Sequence, residues 1–177
     1  MFRDVKYLLA YSIPLVTLVA LLFDGMWSYA TVFFAFGLIP VLEIIIADRN
    51  ASYSYDEISE RKINPFFDWM LYANLPMVFG LLVFGIWDMT ASSYATYEWI
   101  GKTVSLGILL GTNGINVAHE LGHRTTVWER SMAKVLLCPS LYMHFYIEHN
   151  FGHHKNCLLY TSPSPRDYAA SRMPSSA

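Results

Sequence analysis

Two short boxes rich in histidine are the part of this sequence best suited to chemistry. The first runs from His119 to His123 and reads HELGH, and the second runs from Glu148 to His154 and reads EHNFGHH. On a helix, residues four positions apart lie on one face about one turn apart, so each box can direct two imidazoles at one place. Because a zinc site closes at about four ligands and a catalytic one uses about three, five imidazoles favour two metal ions. The candidate ligands are His119, His123, His149, His153 and His154.

A second interpretation takes the first box alone. HELGH also satisfies the H-E-x-x-H pattern, in which two histidines bind zinc and the glutamate acts as general base toward the bound water. Glu120 would then be catalytic, and Glu148 or His149 would supply the third ligand of a membrane zinc metalloprotease. The second box is superfluous for such a protease and necessary for a dinuclear site, so the dinuclear centre is favoured. On that interpretation, no catalytic residue is predicted beyond the metal ligands.

Polar residues near the boxes are candidates for contacts that orient the ligands. Asn116 shares a helix face with His119 and His123, so its amide can either orient a ligand or bridge two helices. His144 is interpreted as structural, with a contact to a ligand as the alternative. Cys138 is predicted to be a buried small hydrophobe. The candidate outer contacts are Asn116, Glu120, His144 and Glu148.

Long apolar runs place the boxes in a membrane protein. The chain is 54% hydrophobic and 15% charged, against roughly 45–50% and about 25% in ordinary soluble domains. A helix needs about 20 apolar residues to cross the hydrocarbon core of a bilayer. Four runs have about that length. They predict an all-α integral membrane helical bundle whose cytosolic helix extensions carry the boxes. The runs are Val5 to Phe23, Trp27 to Ala47, Phe66 to Trp87 and Trp99 to Ala118.

The positions of the cations predict the orientation in the membrane. Arg3 and Lys6 lie at the start of the first run, and other Lys and Arg residues lie between the second and third runs and after the fourth, whereas segments 23–26 and 88–98 contain none. Because cytosolic loops are enriched in Lys and Arg, the N-terminus and both boxes are predicted to be cytosolic, in the inner membrane if the protein is bacterial. The net charge of −2 and the scattered basic residues argue against nucleic acid as a partner. Two cysteines in different segments form neither a metal knuckle nor a disulfide framework.

The boxes and their flanks resemble those of integral-membrane alkane hydroxylases, a non-haem di-iron monooxygenase family that includes xylene monooxygenase and is related to membrane fatty-acid desaturases. The similar strings are FGLIPVLE at 36–43, LLGTNGINVAHELGHR at 109–124 and AKVLLCPSLYMHFYIEHNFGHHKN at 133–156. The resemblance implies that the five box histidines bind two Fe ions, and that the terminal methyl group of an alkane is hydroxylated with dioxygen. It also implies that the substrate enters from the lipid bilayer and that rubredoxin and rubredoxin reductase supply the electrons. An aromatic methyl group or a fatty acyl chain remains open as the substrate.

The resemblance covers the N-terminal half of that family and divides the chain after Asn156. Residues 1–156 are predicted to be the N-terminal part of a membrane-bound di-iron hydroxylase, whereas residues 157–177 change abruptly to a low-complexity tail rich in Ser, Pro and Ala that looks non-native. The family has a further histidine-rich box in its C-terminal half. The chain is therefore expected to be a truncated fragment with weak iron binding and no hydroxylation, because lost ligands forfeit binding energy. An inactive membrane fragment is the non-enzymatic alternative.

Overall fold

The computed structural model describes residues 2–46 and 64–153, and the first of these ranges is a pair of helical runs. The first run consists of a 3-10 segment, Phe2–Tyr11, followed by helix α1, Ser12–Leu22. A short 3-10 turn, Gly25–Tyr29, leads into the second run. That run is made of α2, a π-helical turn and α3, which cover Ala30–Phe33, Phe34–Leu38 and Ile39–Ile46.

The second described range contains the longest helix and both histidine boxes. Helix α4 covers Pro65–Ala91. A continuous run then follows, made of α5, a π turn and α6, which cover Thr96–Leu109, Leu110–Ile115 and Asn116–Gly122. Helix α7 covers Val127–Leu137, and the last run joins α8, His144–Ile147, to a π turn, Glu148–His153. Within residues 2–46 and 64–153 there is no strand, which confirms the all-α prediction.

Local sequence explains where α4 begins, and its length exceeds what a membrane crossing needs. The side chain of Asn64 accepts a hydrogen bond from the Phe66 backbone N–H at 3.0 Å, and Pro65 occupies the first helical position. Both features stabilise a helix start, because the first turn has backbone donors without partners and proline needs none. The 27 residues of α4 extend about 40 Å at 1.5 Å per residue, which exceeds the thickness of a hydrocarbon core.

Two helical stretches are long and apolar enough to cross a membrane, namely Gly25–Ile45 with 21 residues and Pro65–Ala91 with 27. They coincide with the second and third predicted runs. Large apolar side chains face outward on the first stretch, where Phe36 is 73% and Ile44 is 82% exposed, as on a helix that meets lipid. The first predicted run contains a shorter apolar helix, Tyr7–Leu22, and the fourth is helical throughout. Their crossing of the membrane stays a prediction.

The core lies where α1, α4 and α5 meet. Leu21, Val78 and Leu109 are fully buried there, one from each helix. Gly85 of α4 allows the close approach, since a Cβ at this position would lie 2.9 Å from Cδ1 of Leu106 and 3.1 Å from Cδ2 of Leu21. A larger residue at Gly85 would push the helices apart, because protein interiors are packed with few voids.

A second apolar layer joins α6 to α7. Ala118 and Leu121 of α6 are buried together with three residues of α7, which are Ala133, Leu136 and Leu137. Their spacing of three and four positions gives each helix one apolar face. This layer holds the first histidine box against the helix that follows it.

A buried lysine closes the end of the bundle where α4 is joined to α5. The side chain of Lys102 is fully buried, and its Nζ donates to the Leu21 carbonyl at 2.8 Å and to Oδ2 of Asp88 at 2.9 Å. The ammonium group also lies 3.8 Å from the ring centroid of Tyr94, and the Tyr94 hydroxyl donates to the Asp88 carboxylate at 2.8 Å. Since a buried charge is tolerated only when it is paired and hydrogen-bonded, these contacts are what allow a lysine here.

Glu98 completes this end of the bundle. Its carboxylate accepts the backbone N–H of Gly25 at 2.6 Å and that of Ala95 at 2.9 Å. Both hydrogen bonds stabilise the charged carboxylate, the one from Gly25 more than the one from Ala95. They hold the pKa of the Glu98 carboxyl below its usual range. Gly25 has a φ of 66°, in the left-handed region that favours glycine. The turn before α2 therefore depends on the glycine for its backbone conformation and on Glu98 for its hydrogen bond.

Candidate metal centre

Three imidazoles from the two boxes converge on one point. Nε2 of His119 lies 2.7 Å from Nε2 of His149 and 2.9 Å from Nε2 of His123. The third side of the triangle, from Nε2 of His149 to Nε2 of His123, measures 3.3 Å. His119 and His149 are half-buried and His123 is exposed, so the cluster lies at the surface of the helical bundle.

The donor set and its spacing fit a metal ion. Imidazole nitrogens bind a metal at about 2.0–2.1 Å. Two such nitrogens at a right angle are therefore about 3.0 Å apart, close to the three measured separations. Each Nε2 offers a single in-plane lone pair or hydrogen, so three of them that face one another are best satisfied by one shared cation. The three nitrogens form one face of a coordination shell, with room for further ligands on the opposite side.

The backbone of α6 and the π turn explain how the two boxes meet. His119 and His123 lie four positions apart, on one face of the run that ends with α6. His149 approaches from the π turn, and Gly122 leaves room for it. A Cβ on Gly122 would lie 3.5 Å from Cδ2 of Tyr146 and 3.7 Å from Nδ2 of Asn150. π turns inside helices are often found at functional sites, where they redirect side chains.

A stack of aromatic rings fixes the orientation of His149. The Phe145 ring is stacked on the His149 ring at a centroid distance of 4.8 Å, and the Tyr142 ring is stacked on the other side of Phe145 at 5.2 Å. Phe145 also presents an edge to His119, with centroids 5.9 Å apart. One phenyl ring thus contacts histidines of both boxes and restricts how either can turn. The sequence placed Phe145 in the string that carries the family resemblance but assigned it no role at the site, although its position one turn before His149 was a usable signal.

The structure brings together three of the five candidate ligands. The side chain of His153 and the whole of His154 lie outside the part of the chain that the structure describes. Among the candidate outer contacts, Asn116, Glu120, His144 and Glu148 are all exposed. Glu120 lies 3.8 Å from Arg124, and His144 presents its edge to the Tyr142 ring at 4.7 Å. A role for any of these four side chains at the metal stays a prediction.

The prediction that Cys138 is buried is wrong, because the structure leaves it exposed. The buried positions on α7 are Ala133, Leu136 and Leu137. Cys138 follows these residues on the opposite side of the helix end. Residue type alone favoured burial, and the helical register decided against it.

An ion pair lies beside the first histidine box. Nη2 of Arg124, which follows His123, lies 2.9 Å from Oδ1 of Asp68 on α4. The two side chains are 31% and 34% exposed, so solvent screening limits the stabilisation to at most about 1 kcal/mol. The pair is nevertheless well placed to hold the first box against α4.

Glu129 in the first turn of α7 is buried and accepts two hydrogen bonds, one from the Tyr72 hydroxyl at 2.8 Å and one from the Thr126 hydroxyl. Burial raises the pKa of its carboxyl, but the two hydrogen bonds and the charge of Arg124 outweigh burial and leave the pKa below its ordinary value. The contact with Tyr72 ties α7 to α4. The spacing of Thr126 and Glu129 signals a helix start in the sequence, whereas the contact with Tyr72 has no local signal.

Replacing Glu129 by glutamine is expected to destabilise the fold by about 1–3 kcal/mol, because hydrogen bonds to a charged acceptor are lost. The pKa is lowered in the folded state, so the contribution of Glu129 is present above its ordinary value of 4.5 and is lost as the pH falls through the folded pKa. Thermal unfolding in detergent should show a deficit in the variant that shrinks as the pH falls below 4.5. A deficit that is equal at every pH would contradict this assignment.

Comparison with known proteins gives a consistent result. No protein-family model matches the chain. The chain is 30% identical to alkane 1-monooxygenase of Pseudomonas putida over 138 residues, which are 78% of the chain and 33% of that protein. It is 28% identical to alkane 1-monooxygenase 1 of Alcanivorax borkumensis over 149 residues, 84% of the chain and 35% of that protein.

A third relative has a different name. The xylene/toluene monooxygenase hydroxylase component XylM of Pseudomonas putida is 32% identical over 133 residues, 71% of the chain and 34% of that protein. The chain thus spans roughly a third of the length of the curated relatives it matches. The chain has a cluster of histidines suited to a metal and two helices long and apolar enough to cross a membrane. The chain belongs to the alkane hydroxylase family of monooxygenases.

Proposed function

We propose that this protein is a membrane monooxygenase that hydroxylates the terminal methyl group of alkanes, at a centre of two Fe ions held by the histidine boxes. The observation that carries the proposal is the convergence of Nε2 atoms of His119, His123 and His149 within 2.7–3.3 Å, at the end of a helix continuous with an apolar run. His153 and His154 are proposed as the remaining ligands from this chain. The names of the relatives support the substrate and the reaction.

Iron, when bound, supplies the reductive activation of dioxygen, which no protein side chain performs. The overall reaction inserts one oxygen atom into a terminal C–H bond and reduces the other to water with two electrons and two protons. The imidazoles of the boxes contribute neutral nitrogen donors that suit iron. The ring of Phe145 holds the His119 and His149 imidazoles in position, so the donors are arranged before the substrate arrives.

The position of the centre relative to the apolar helices favours a substrate that dissolves in lipid. An alkane partitions into the bilayer, and its end would reach the centre by moving between the helices. Rubredoxin and rubredoxin reductase are proposed as electron donors that dock on the face carrying the boxes. The distribution of Lys and Arg supports a cytosolic location for that face and for the N-terminus. Residues 1–156 would form this part of the hydroxylase, and residues 157–177 lie outside the described residues.

The zinc metalloprotease is the competing interpretation, and Glu120 separates it from the hydroxylase. A zinc protease needs this carboxylate as a general base beside the metal. The Glu120 side chain is exposed and lies 3.8 Å from the Arg124 guanidinium, an arrangement that suits an ion pair better than a base directed at the centre. This contact and the names of the relatives favour the hydroxylase.

The test uses protein produced from its complete gene and purified from membranes. If the proposal is right, the protein contains about two irons and little zinc, as expected for a His-rich site that activates oxygen. It converts octane to 1-octanol when rubredoxin, rubredoxin reductase and NADH are supplied. The Glu120→Gln variant separates the two interpretations, because a hydroxylase in which Glu120 is an outer contact and not a ligand should keep iron and measurable turnover. One zinc per chain, together with peptide cleavage that the Glu120→Gln variant lacks, would overturn the proposal in favour of the protease.

A further inference from the structure

The chain that connects the two boxes turns back along the helix that carries the first box. The backbone oxygen of Leu136 lies 3.6 Å from the place that a Cβ on Gly114 would occupy. Gly114 precedes His119 by five residues, which is about 7.5 Å along a helix axis. Helix α7 is therefore antiparallel to α6 and ends within the depth of the fourth predicted apolar run. The last helical run then returns to the centre, where His149 meets His119.

The tip of this hairpin carries no charge. Between Lys134 and Glu148 lie thirteen residues, VLLCPSLYMHFYI, that include no Asp, Glu, Lys or Arg. The turn from Cys138 to Met143 joins the two arms, and its large apolar side chains point outward, with Leu141 87% and Met143 48% exposed. An uncharged, apolar and exposed turn at this depth is suited to contact with lipid rather than with water.

The backbone of the turn is bonded within the turn itself. Leu141 N–H donates to the Cys138 carbonyl at 3.0 Å, and Tyr142 N–H donates to the Leu137 carbonyl at 3.1 Å. The hydroxyl of Ser140 also donates to the Leu137 carbonyl at 2.9 Å. Backbone that enters a bilayer must satisfy its polar groups internally, because lipid tails offer no hydrogen bonds. These bonds satisfy the N–H groups of Leu141 and Tyr142 as that requirement demands.

Leu141 occupies a backbone conformation that rarely accepts its residue type. Its φ is 54°, and it is the only non-glycine residue with positive φ in the described ranges. The bond from Tyr142 to Leu137 is the one that closes a helix whose C′ residue is left-handed, a position where glycine is favoured. A leucine that is both strained and 87% exposed makes no gain from packing against the described protein. Strain that is retained without a packing gain indicates a function for the side chain.

We propose that the turn Cys138–Met143 is a membrane anchor that inserts the Leu141 side chain into the acyl boundary of the leaflet facing the boxes. Arg130 lies in the first half of α7, toward the first box, whereas Lys134 lies in the last turn of α7 with its Nζ 4.9 Å from the Tyr146 ring centroid. The anchor would hold the second box at a fixed depth, because the arm that carries His149 begins at the turn. The inference rests on the chain's location in a membrane and does not depend on which metal binds or on which substrate reacts.

The test places a bimane fluorophore at Leu141→Cys in a Cys138→Ser, Cys157→Ser background, in nanodiscs of phosphatidylcholine and phosphatidylglycerol. Ser131→Cys, which is exposed on α7, is the matched control. Lipids brominated in the acyl chain should quench the label at position 141 several-fold more than the label at position 131, and aqueous iodide should show the reverse order. Iodide quenching at 141 equal to that at 131 would overturn the proposal. Resistance of position 141 to both quenchers would also overturn it, since protein would then cover the turn.

A second variant separates the anchor from a simple helix cap. Leu141→Gly relieves the backbone strain, so a residue that served only as a cap would be replaced without loss. An anchor predicts that a bimane at Met143→Cys loses most of its quenching by brominated lipid when Leu141→Gly is added. Quenching at position 143 that is unchanged by Leu141→Gly would show that Leu141 does not anchor the turn.

Discussion

Replacing His149 by alanine is expected to remove metal as completely as replacing His119, although the two residues lie 30 positions apart in the chain. Loss of an outer contact to a ligand typically lowers metal affinity about 10–100-fold, and loss of the ligand itself should exceed this. The reason is that His149 supplies one of the three imidazoles that converge in the cluster. Without His149 the described cluster retains only His119 and His123, the two-ligand face that one helix can offer. Metal content measured by plasma mass spectrometry tests the prediction on protein produced from the complete gene and purified from membranes, and hydroxylation by that protein should be lost in parallel.

His144→Ala is the matched control for this result. His144 begins the same short helical run as His149, but its imidazole is exposed and lies against the Tyr142 ring. The variant is expected to keep its metal. If His144→Ala lost metal as fully as His149→Ala, the second arm would act as a folding unit and not as a source of one ligand. If His149→Ala kept its metal, the convergence of the three imidazoles would be incidental.

The histidine centre was largely predictable because its signal is local. Spacing of four residues places His119 and His123 on one helix face whatever the rest of the fold does. The partner of this pair needed more than spacing, since the sequence does not say that α7 turns back and brings His149 beside His119. The π turns, which set the direction of that approach, have no sequence pattern that distinguishes them from ordinary helix.

The contacts that sequence reasoning missed join residues far apart in the chain. Tyr72 and Glu129 are separated by 57 positions, and Lys102 and the Leu21 carbonyl by 81. Burying any one of these polar groups alone near an apolar region costs free energy, and a partner that forms a hydrogen bond offsets that cost. The sequence alone therefore gives no sign of partners for Lys102, whereas the structure shows this cation paired with Asp88.

Replacing Lys102 by methionine is expected to destabilise the fold by about 3–5 kcal/mol, the cost of leaving one partner of a buried ion pair without the other. Methionine fills a similar volume, so the effect comes from charge and hydrogen bonding. Asp88, 16% exposed, would lose its counter-ion, and the Leu21 carbonyl would lose its donor. Unfolding of the purified protein in mixed micelles by increasing SDS measures the change. Lys134→Met is the control, at an exposed cation whose Nζ lies 4.9 Å from the Tyr146 ring centroid, and it should change stability by less than about 1 kcal/mol.

The double variant Lys102→Met, Asp88→Leu decides whether the pair itself is the cause. A buried ion pair replaced as a whole by apolar residues is often neutral in stability, so the double variant should recover most of the loss. Metal content per folded molecule should stay constant throughout, because Lys102 precedes His119 by 17 residues, about 25 Å along the helix axis. A double variant as unstable as Lys102→Met would assign the stabilisation to the other contacts of the lysine, which are the Leu21 carbonyl, the Tyr94 ring and Asp24. A loss of metal at constant folding would instead show that the two ends of this helix are coupled.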